Sequence, residues 1–219
     1  MIKILFDLDD TLYPEKQYIY QGFWAVAQYF QSKYRLEATK VYLELVFIFK
    51  KQSKRVFDDF LKENNIDEDP LYIVNIYRSP KRNLSLYSDV LENLKFQKKI
   101  GNKLILVTNG HSEVQKGKIR NLKLAEYFDD IFILDNFGKE YWKPSVLIFD
   151  NIYDKYKGDL ADYIFVGNGQ EDLEFAKKIG IRFIFVDREN SVRKAEIENE
   201  QEIYIVRNLE ELIKELRYK

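Results

Sequence analysis

Short apolar runs alternate along the chain with segments in which apolar residues recur at helical spacing. The runs are rich in Ile, Val and Phe and are predicted to be strands at residues 2–6, 104–107, 131–134, 163–166, 182–186 and 203–206. Because they are apolar almost throughout, they are typical of strands buried on both faces, as in parallel sheets. The helix-period segments between and after the later runs are 112–122, 145–157, 171–179 and 209–217. This alternation predicts an α/β fold with a doubly wound parallel sheet.

The stretch between the first and second predicted strands breaks this alternation. Its apolar residues recur at helical spacing, at Ile19, Phe23, Val26, Phe30, Val41, Leu45, Ile48, Val56, Phe60 and Leu61. The pattern predicts an all-helical insertion over residues 14–82, within an α/β core formed by residues 1–13 and 83–219. We interpret the aromatic stripe as the core of this insertion rather than as a ligand pocket. A further helix at about 86–100 is predicted to return the chain to the α/β core and to end at Gly101.

Composition narrows the possible chemistry. The 219 residues are 46% hydrophobic, which is ample for a buried core, and the 35 basic and 36 acidic residues are well mixed. This balance gives no electrostatic reason to expect a nucleic-acid or membrane partner. The absence of cysteine excludes disulfides, thiolate metal sites and cysteine nucleophiles, and the single histidine gives little support to a histidine-based site. The longest apolar run, near residues 45–49, is too short to span a bilayer, so we expect a cytoplasmic protein; its oligomeric state is not indicated.

Polar residues follow several of the predicted strands. Strand one is followed by Asp7, Asp9 and Thr11, and strand two by Thr108 and Asn109. The fourth strand is followed by Asn168, and Lys143 lies between the third and fourth strands. Singly, each has an ordinary interpretation: two acids that cap a turn, a surface lysine, and an Asn-Gly turn. In a doubly wound sheet, however, ligands bind beyond the carboxyl ends of the strands.

Together these residues supply the groups that phosphoryl transfer requires. One carboxylate can attack phosphorus and form an aspartyl-phosphate, while a second handles the proton of the leaving group. A hydroxyl and an amide can hold phosphate oxygens, and a lysine offsets the accumulating negative charge. Oxygen ligands of this kind suit Mg²⁺.

The same segments resemble the motifs of the haloacid dehalogenase superfamily. FDLDDTLY is similar to its DxDxT signature, LVTNG to its second motif, the lysine of YWKPS to its third, and VGNGQED to its fourth. The order and spacing of the four motifs cover the whole chain. The resemblance implies that the helical insertion at 14–82 is the cap domain of that superfamily.

The resemblance also implies roles for individual residues. Asp7 is the implied nucleophile and a metal ligand. Asp9 is the implied general acid and then the base that activates water, and its backbone carbonyl contacts the metal. Thr108, with Asn109 beside it, would bind the transferring phosphoryl group, and Lys143 would bridge the nucleophile and the phosphate. Thr11 is expected to stabilise the turn of the first motif.

The fourth motif departs from the superfamily pattern. Its first acid is replaced by Asn168, whereas Asp172 can serve as the second acid. The implied metal set for Mg²⁺ is therefore Asp7, Asp9, Asn168 and Asp172. An amide oxygen can still bind the ion, but the site loses one negative charge, so we expect a lower metal affinity than with aspartate.

The leading functional prediction is a Mg²⁺-dependent phosphatase that hydrolyses a small phosphorylated metabolite, of sugar-phosphate or nucleotide type, through an aspartyl-phosphate. A metal-free 2-haloacid dehalogenase is the first alternative, because asparagine is tolerated in its fourth motif. That reaction has no use for Asp9, however, since halide leaves without protonation. Two further candidates are a binding or regulatory protein with weakened catalysis and a phosphomutase. Tyr13, Lys16, Tyr141 and Trp142 lie close enough to the motifs in sequence to line the cleft, although ordinary packing explains them equally well.

Overall fold

A six-stranded sheet forms the centre of the α/β part of the chain. The computed structural model describes residues 1–52, 54–79, 82–188 and 203–212. The strands are β1 (Lys3–Phe6), β2 (Lys103–Thr108), β3 (Asp130–Ile133), β4 (Tyr163–Gly167), β5 (Arg182–Val186) and β6 (Tyr204–Val206). Their order is β3-β2-β1-β4-β5-β6, and every neighbouring pair is parallel. The predicted doubly wound parallel sheet is confirmed.

The chain divides into two compact units, one formed by Met1–Pro14 with Ser85–Lys219 and the other by Glu15–Leu84. The second, the helical unit, contains α1 (Glu15–Tyr34), α2 (Ala38–Lys51), α3 (Val56–Glu63) and α4 (Pro70–Arg78). All but one of the apolar residues that recur at helical spacing are buried in one cluster, and the remaining one, Ile19, packs against it. The aromatic stripe is therefore the core of this unit, as predicted.

A carboxylate with three donors ties the segment between α3 and α4 to α1. Glu68 Oε2 accepts hydrogen bonds from the Tyr29 hydroxyl (2.6 Å), the Tyr34 hydroxyl (2.8 Å) and the Lys33 ammonium group. These bonds, that of Lys33 first, lower the pKa of Glu68 to about 2. Because the Lys33 ammonium group and the two hydroxyls all donate to the carboxylate, the cluster stabilises the folded helical unit most when Glu68 is ionised.

We expect Glu68→Gln to lower the melting temperature most at neutral pH. The folded-state pKa lies below the ordinary value of 4.5, so the stabilisation is complete above that pH and is lost as the pH falls toward 2. Melting curves at pH 7 and pH 3.5 should show a deficit that narrows at the lower pH. Glu63→Gln, which alters an exposed glutamate at the end of α3, is the matched control. A deficit of equal size at both pH values would contradict this assignment.

Among the described residues of the α/β unit, four longer helices flank the sheet: α5 (Val90–Lys99), α6 (Ser112–Asn121), α7 (Leu147–Tyr156) and α8 (Gln170–Ile179). The predicted boundaries of α5 and α7 were wrong at their amino ends. Helix α5 begins at Val90 rather than at residue 86, because contacts distant in the chain hold the residues before it. The Tyr87 N–H donates to the Leu12 carbonyl, and the Asp89 carboxylate accepts from Arg188 and from the backbone N–H of Leu209. Of the predicted helix at 209–217, residues 209–212 are helical, and the remainder lies outside the described residues.

Within the described part of the chain, no helix is both long and apolar enough to cross a membrane.

Candidate active site

The candidate catalytic residues lie at the carboxyl ends of three adjacent strands. Strand β1 lies between β2 and β4, and all three run in the same direction. Asp7 follows β1, Thr108 is the last residue of β2, and Asn168 follows β4. The backbone N–H of Asp7 continues the pairing of β1 with β4 by donating to the carbonyl of Val166 at 3.0 Å. The topology thus brings these residues to one edge of the sheet.

Lys143 joins two of the predicted acids. Its Nζ lies 2.6 Å from Asp7 Oδ1 and 2.6 Å from Asp172 Oδ1. The three side chains are largely buried, so the lysine and the two carboxylates form a desolvated charged cluster. Burial of such groups is tolerated only when they are paired and hydrogen-bonded. The third and fourth motifs therefore meet at the residue that follows β1.

Asp172 also shapes the turn that begins α8. Its Oδ2 accepts hydrogen bonds from the backbone N–H groups of Asn168 (3.2 Å) and Gly169 (3.1 Å). A Cβ at Gly167 would lie 2.4 Å from the same oxygen, so only glycine fits there. The carboxylate is held from both sides, by backbone donors on one oxygen and by Lys143 on the other.

The nucleophile predicted from the sequence lies in an environment that disfavours its charge. Burial, the largest cause, and the nearby Asp172 and Asp9 carboxylates raise the pKa of Asp7 to about 7, while Lys143 opposes them. Burial lowers the pKa of Lys143, but the charges of Asp172 and Asp7 outweigh it and raise the pKa above its ordinary value. A carboxyl group shifted this far beside a lysine is typical of an active site.

Asn109 fixes the position of the lysine. Its side-chain oxygen accepts a hydrogen bond from the backbone N–H of Lys143 at 2.8 Å, and its amide nitrogen donates to the carbonyl of Lys143 at 3.1 Å. The same nitrogen donates to Glu171 Oε2 at 2.9 Å. Sequence reasoning gave Glu171 no role, although it stands next to Asp172. Its contact shows that the second and fourth motifs are coupled through an amide.

Asp9 and Thr108 are held by side chains of α6 that sequence reasoning also missed. Gln115 Nε2 donates to Asp9 Oδ2 at 2.9 Å and to Thr108 Oγ1 at 2.7 Å, and Lys118 Nζ lies 2.6 Å from Asp9 Oδ1. The Tyr13 hydroxyl donates to the same Oδ1 at 2.5 Å. Tyr13 is fully buried, so its ring is part of the core while its hydroxyl binds Asp9. The signal in the sequence was that α6, SEVQKGKIRN, has Val114 and Ile119 as its only large apolar residues, so polar side chains must complete its buried face.

The sequence of this chain also matches the model of a known protein family. The family model of the haloacid dehalogenase-like hydrolases matches residues 4–186, a span that includes all four motifs. The chain belongs to the haloacid dehalogenase-like hydrolases. The resemblance inferred from the motifs is thereby confirmed.

Relatives with assigned activities share most of the length of this hydrolase. It is 28% identical over 200 residues to the glyceraldehyde 3-phosphate phosphatase of Methanopyrus kandleri, covering 86% of this chain and 85% of that protein. The protein of the same name from Methanocaldococcus jannaschii is 27% identical over 223 residues, with 97% and 96% covered. Among solved structures, the HAD-hydrolase YfnB from Bacillus subtilis bound to magnesium superimposes with a TM-score of 0.68 at 20% identity, covering 99% of each chain.

Asn168 of this hydrolase lies where the turn after β4 meets the turn after β1. The Thr11 hydroxyl donates to Asn168 Oδ1 across 3.4 Å. This hydrogen bond is long and weak, so the amide oxygen can still coordinate a cation. Among the described residues, no group of three or more acidic, histidine or cysteine side chains is arranged to hold a metal ion. A cation in this site would therefore need a mixed set that includes amide and backbone oxygens.

Proposed function

We propose that this hydrolase is a Mg²⁺-dependent phosphatase that acts on a small phosphorylated metabolite through an aspartyl-phosphate on Asp7. The observation that carries the proposal is the placement of Asp7. It is buried at the end of the central strand, with one carboxylate oxygen bound to Lys143 and with Asp9 two residues further on. The names of the relatives from Methanopyrus kandleri and Methanocaldococcus jannaschii favour a small phosphate ester such as glyceraldehyde 3-phosphate.

The first half of the proposed reaction transfers the phosphoryl group to the protein. Because Lys143 occupies Asp7 Oδ1, Oδ2 is the oxygen that attacks phosphorus. A bond forms between this oxygen and phosphorus as the bond from phosphorus to the substrate oxygen breaks. Asp9, as general acid, gives that leaving oxygen its proton. The Lys143 ammonium group and the Thr108 hydroxyl offset and orient the negative phosphoryl oxygens.

The second half releases phosphate. A water molecule attacks the phosphorus of the aspartyl-phosphate, the bond from phosphorus to Asp7 breaks, and Asp9 accepts the proton that the water loses. The same carboxyl group is thus an acid in the first step and a base in the second, and it ends the cycle protonated again.

The residues present fit a magnesium ion. The Asp7 carboxylate, the Asn168 side-chain oxygen and the backbone carbonyl of Asp9 would hold it, and Mg²⁺ prefers oxygen ligands of these kinds. We propose that Asp172 does not contact the ion directly but holds the residues that do, because both of its oxygens already accept hydrogen bonds. Burial is the largest cause of the raised pKa of Asp7, and repulsion from the Asp172 and Asp9 carboxylates adds to it; a cation would relieve that repulsion. When bound, the ion would supply charge neutralisation for the phosphoryl group.

The proposed phosphatase is tested by comparing phosphate release with halide release. The purified protein should release phosphate from p-nitrophenyl phosphate and from glyceraldehyde 3-phosphate when Mg²⁺ is present, and EDTA should remove this activity. Other sugar phosphates and nucleoside monophosphates in the same assay would rank the substrate classes. Halide release from 2-chloropropionate in EDTA, without phosphate release from any ester, would replace the proposal with a dehalogenase. Turnover of no ester and no haloacid would favour a binding protein.

Asn168→Asp is expected to raise the affinity for Mg²⁺ about tenfold, because it adds a full negative charge next to the proposed ion. Isothermal titration of Mg²⁺ into the wild-type protein and the variant measures this without reference to turnover. Asn151→Asp adds the same charge on the exposed surface of α7 and should leave the affinity unchanged. Equal affinities for the wild type and Asn168→Asp would show that Asn168 does not contact the ion.

A further inference from the structure

Helix α6 buries polar side chains where a helix packed on a sheet normally buries apolar ones. Gln115 and Lys118 are 1% and 4% exposed, and they share the buried face with Ile119. A lysine is almost never this deeply buried unless its charge is paired. Gly110, at the turn that leads into α6, leaves room for this arrangement, because a Cβ there would lie 3.2 Å from the Gln115 carboxamide carbon.

Both oxygens of Asp9 are engaged by this face and by Tyr13. Oδ1 accepts from Lys118 Nζ at 2.6 Å and from the Tyr13 hydroxyl at 2.5 Å, while Oδ2 accepts from Gln115 Nε2 at 2.9 Å. Tyr13 lies on the same turn as Asp9, and its ring centroid is 5.8 Å from Lys118 Nζ. The carboxyl group therefore has one orientation, which is set by donors from two different segments of the α/β unit.

The two buried lysines of the site form ion pairs with different carboxylates. Lys143 contacts Asp7 and Asp172, which are proposed to act as nucleophile and as support for the site. Lys118 contacts Asp9, the proposed proton donor, which is 22% exposed at its side chain. The exposed fraction allows a leaving group to reach Asp9, while the buried donors hold it from behind.

We propose that Lys118, assisted by Gln115 and Tyr13, is a positioning residue for the proton transfer that Asp9 performs. This inference rests on the proposed phosphatase function and adds the residues that orient the general acid. Gln115 extends the effect to the phosphoryl group, because the same amide nitrogen donates to Thr108 Oγ1 at 2.7 Å. One helix face thus sets the geometry between the proton donor and the phosphate-binding hydroxyl.

Displacement of the proton donor slows the hydrolysis of some substrates and leaves that of others nearly unchanged. An alkyl alcohol is a poor leaving group and needs a proton as it departs, whereas p-nitrophenolate is stable enough to leave as an anion. The value of kcat/KM reports the steps up to the first irreversible one, here formation of the aspartyl-phosphate, so it isolates the role of Asp9 as an acid from its later role as a base. The ratio of kcat/KM for the two leaving groups therefore reports on Asp9 itself.

The test compares Lys118→Met with the wild type in saturating Mg²⁺, using glyceraldehyde 3-phosphate and p-nitrophenyl phosphate. We expect kcat/KM to fall about tenfold or more for the alkyl ester and by less than about threefold for the aryl ester. General acid catalysis contributes about 10²–10⁴-fold, so the loss for the alkyl ester corresponds to part of that contribution. Asp9→Asn should show the same selectivity with a larger loss. Lys116→Met alters an exposed lysine of α6 that pairs with Glu113, and it should leave both values unchanged.

A second variant covers the case in which Lys118→Met does not fold. Tyr13→Phe removes one hydroxyl and keeps the ring, and it should produce the same selectivity on a smaller scale. Equal losses with both esters, no loss, or a gain with the alkyl ester would overturn the inference while leaving the phosphatase intact. A wild-type protein that releases phosphate from neither ester would overturn the proposed function, and this inference with it.

Discussion

Asp7→Asn is expected to abolish phosphate release, with a loss on the order of 10⁴-fold or more, because an amide oxygen cannot replace the carboxylate as nucleophile. The substitution keeps the size and shape of the side chain, so the loss would not come from repacking. Phosphate release from p-nitrophenyl phosphate in Mg²⁺ measures it. Retention of more than about a hundredth of the wild-type rate would show that Asp7 is not the nucleophile.

The stability of the same variant separates a catalytic role from a structural one. The pKa of Asp7 is raised from 3.8 to about 7, so ionisation of this group costs folding stability as the pH rises above 3.8, and the cost is complete above about 7. At pH 8 in EDTA, the variant should therefore melt at a temperature no lower than the wild type. A clearly lower melting temperature would mean that the carboxylate stabilises the fold.

Lys143→Met is expected to reduce both activity and stability. It removes the cation that lies between Asp7 and Asp172, and breaking a buried ion pair in this way costs about 3 kcal/mol or more. Activity should fall by at least about 10²–10³-fold, because the charge that offsets the phosphoryl oxygens is lost. Urea unfolding gives the free energy of unfolding, and phosphate release gives the rate.

A matched control lies in the same segment of the chain. Lys139→Met removes an exposed lysine four residues before Lys143 and should change neither quantity. If Lys143→Met unfolded at the same urea concentration as the wild type and kept its activity, the ion-pair cluster would have no role in folding or in catalysis.

The sequence predicted the parts of the site that depend on strand ends. Near-continuous apolar runs indicate a parallel sheet, and in such a sheet the residues at the carboxyl ends of β1, β2 and β4 lie at one edge. This reasoning predicts that Asp7, Thr108 and Asn168 lie close together. The helical spacing of Phe23, Phe30 and their neighbours likewise predicted a separate helical core, because the period of buried residues is a local property.

The missed residues depend on relations that a linear pattern does not contain. Gln115 and Lys118 become part of the site only because α6 turns its polar face toward Asp9, about a hundred residues earlier in the chain. Glu171 acquires its role through the amide of Asn109, on a different strand end. The start of α5 was misplaced for the same reason, since the bonds of Asp89 to Arg188 and to the backbone of Leu209 are distant in sequence. Tertiary contacts override local helix signals at such points.

The central claim, a covalent phosphoryl group on Asp7, can be tested directly by chemical trapping. Asp9→Asn should slow the hydrolysis of the intermediate, so the variant is mixed with p-nitrophenyl phosphate and Mg²⁺, quenched, and reduced with borohydride. Reduction of an acyl phosphate converts the aspartyl carboxyl group to an alcohol, which peptide mass spectrometry locates. We predict that Asp7 is the modified residue and that the modification is absent without substrate. Modification of another residue, or an unmodified Asp7 in a protein that releases phosphate, would contradict the account.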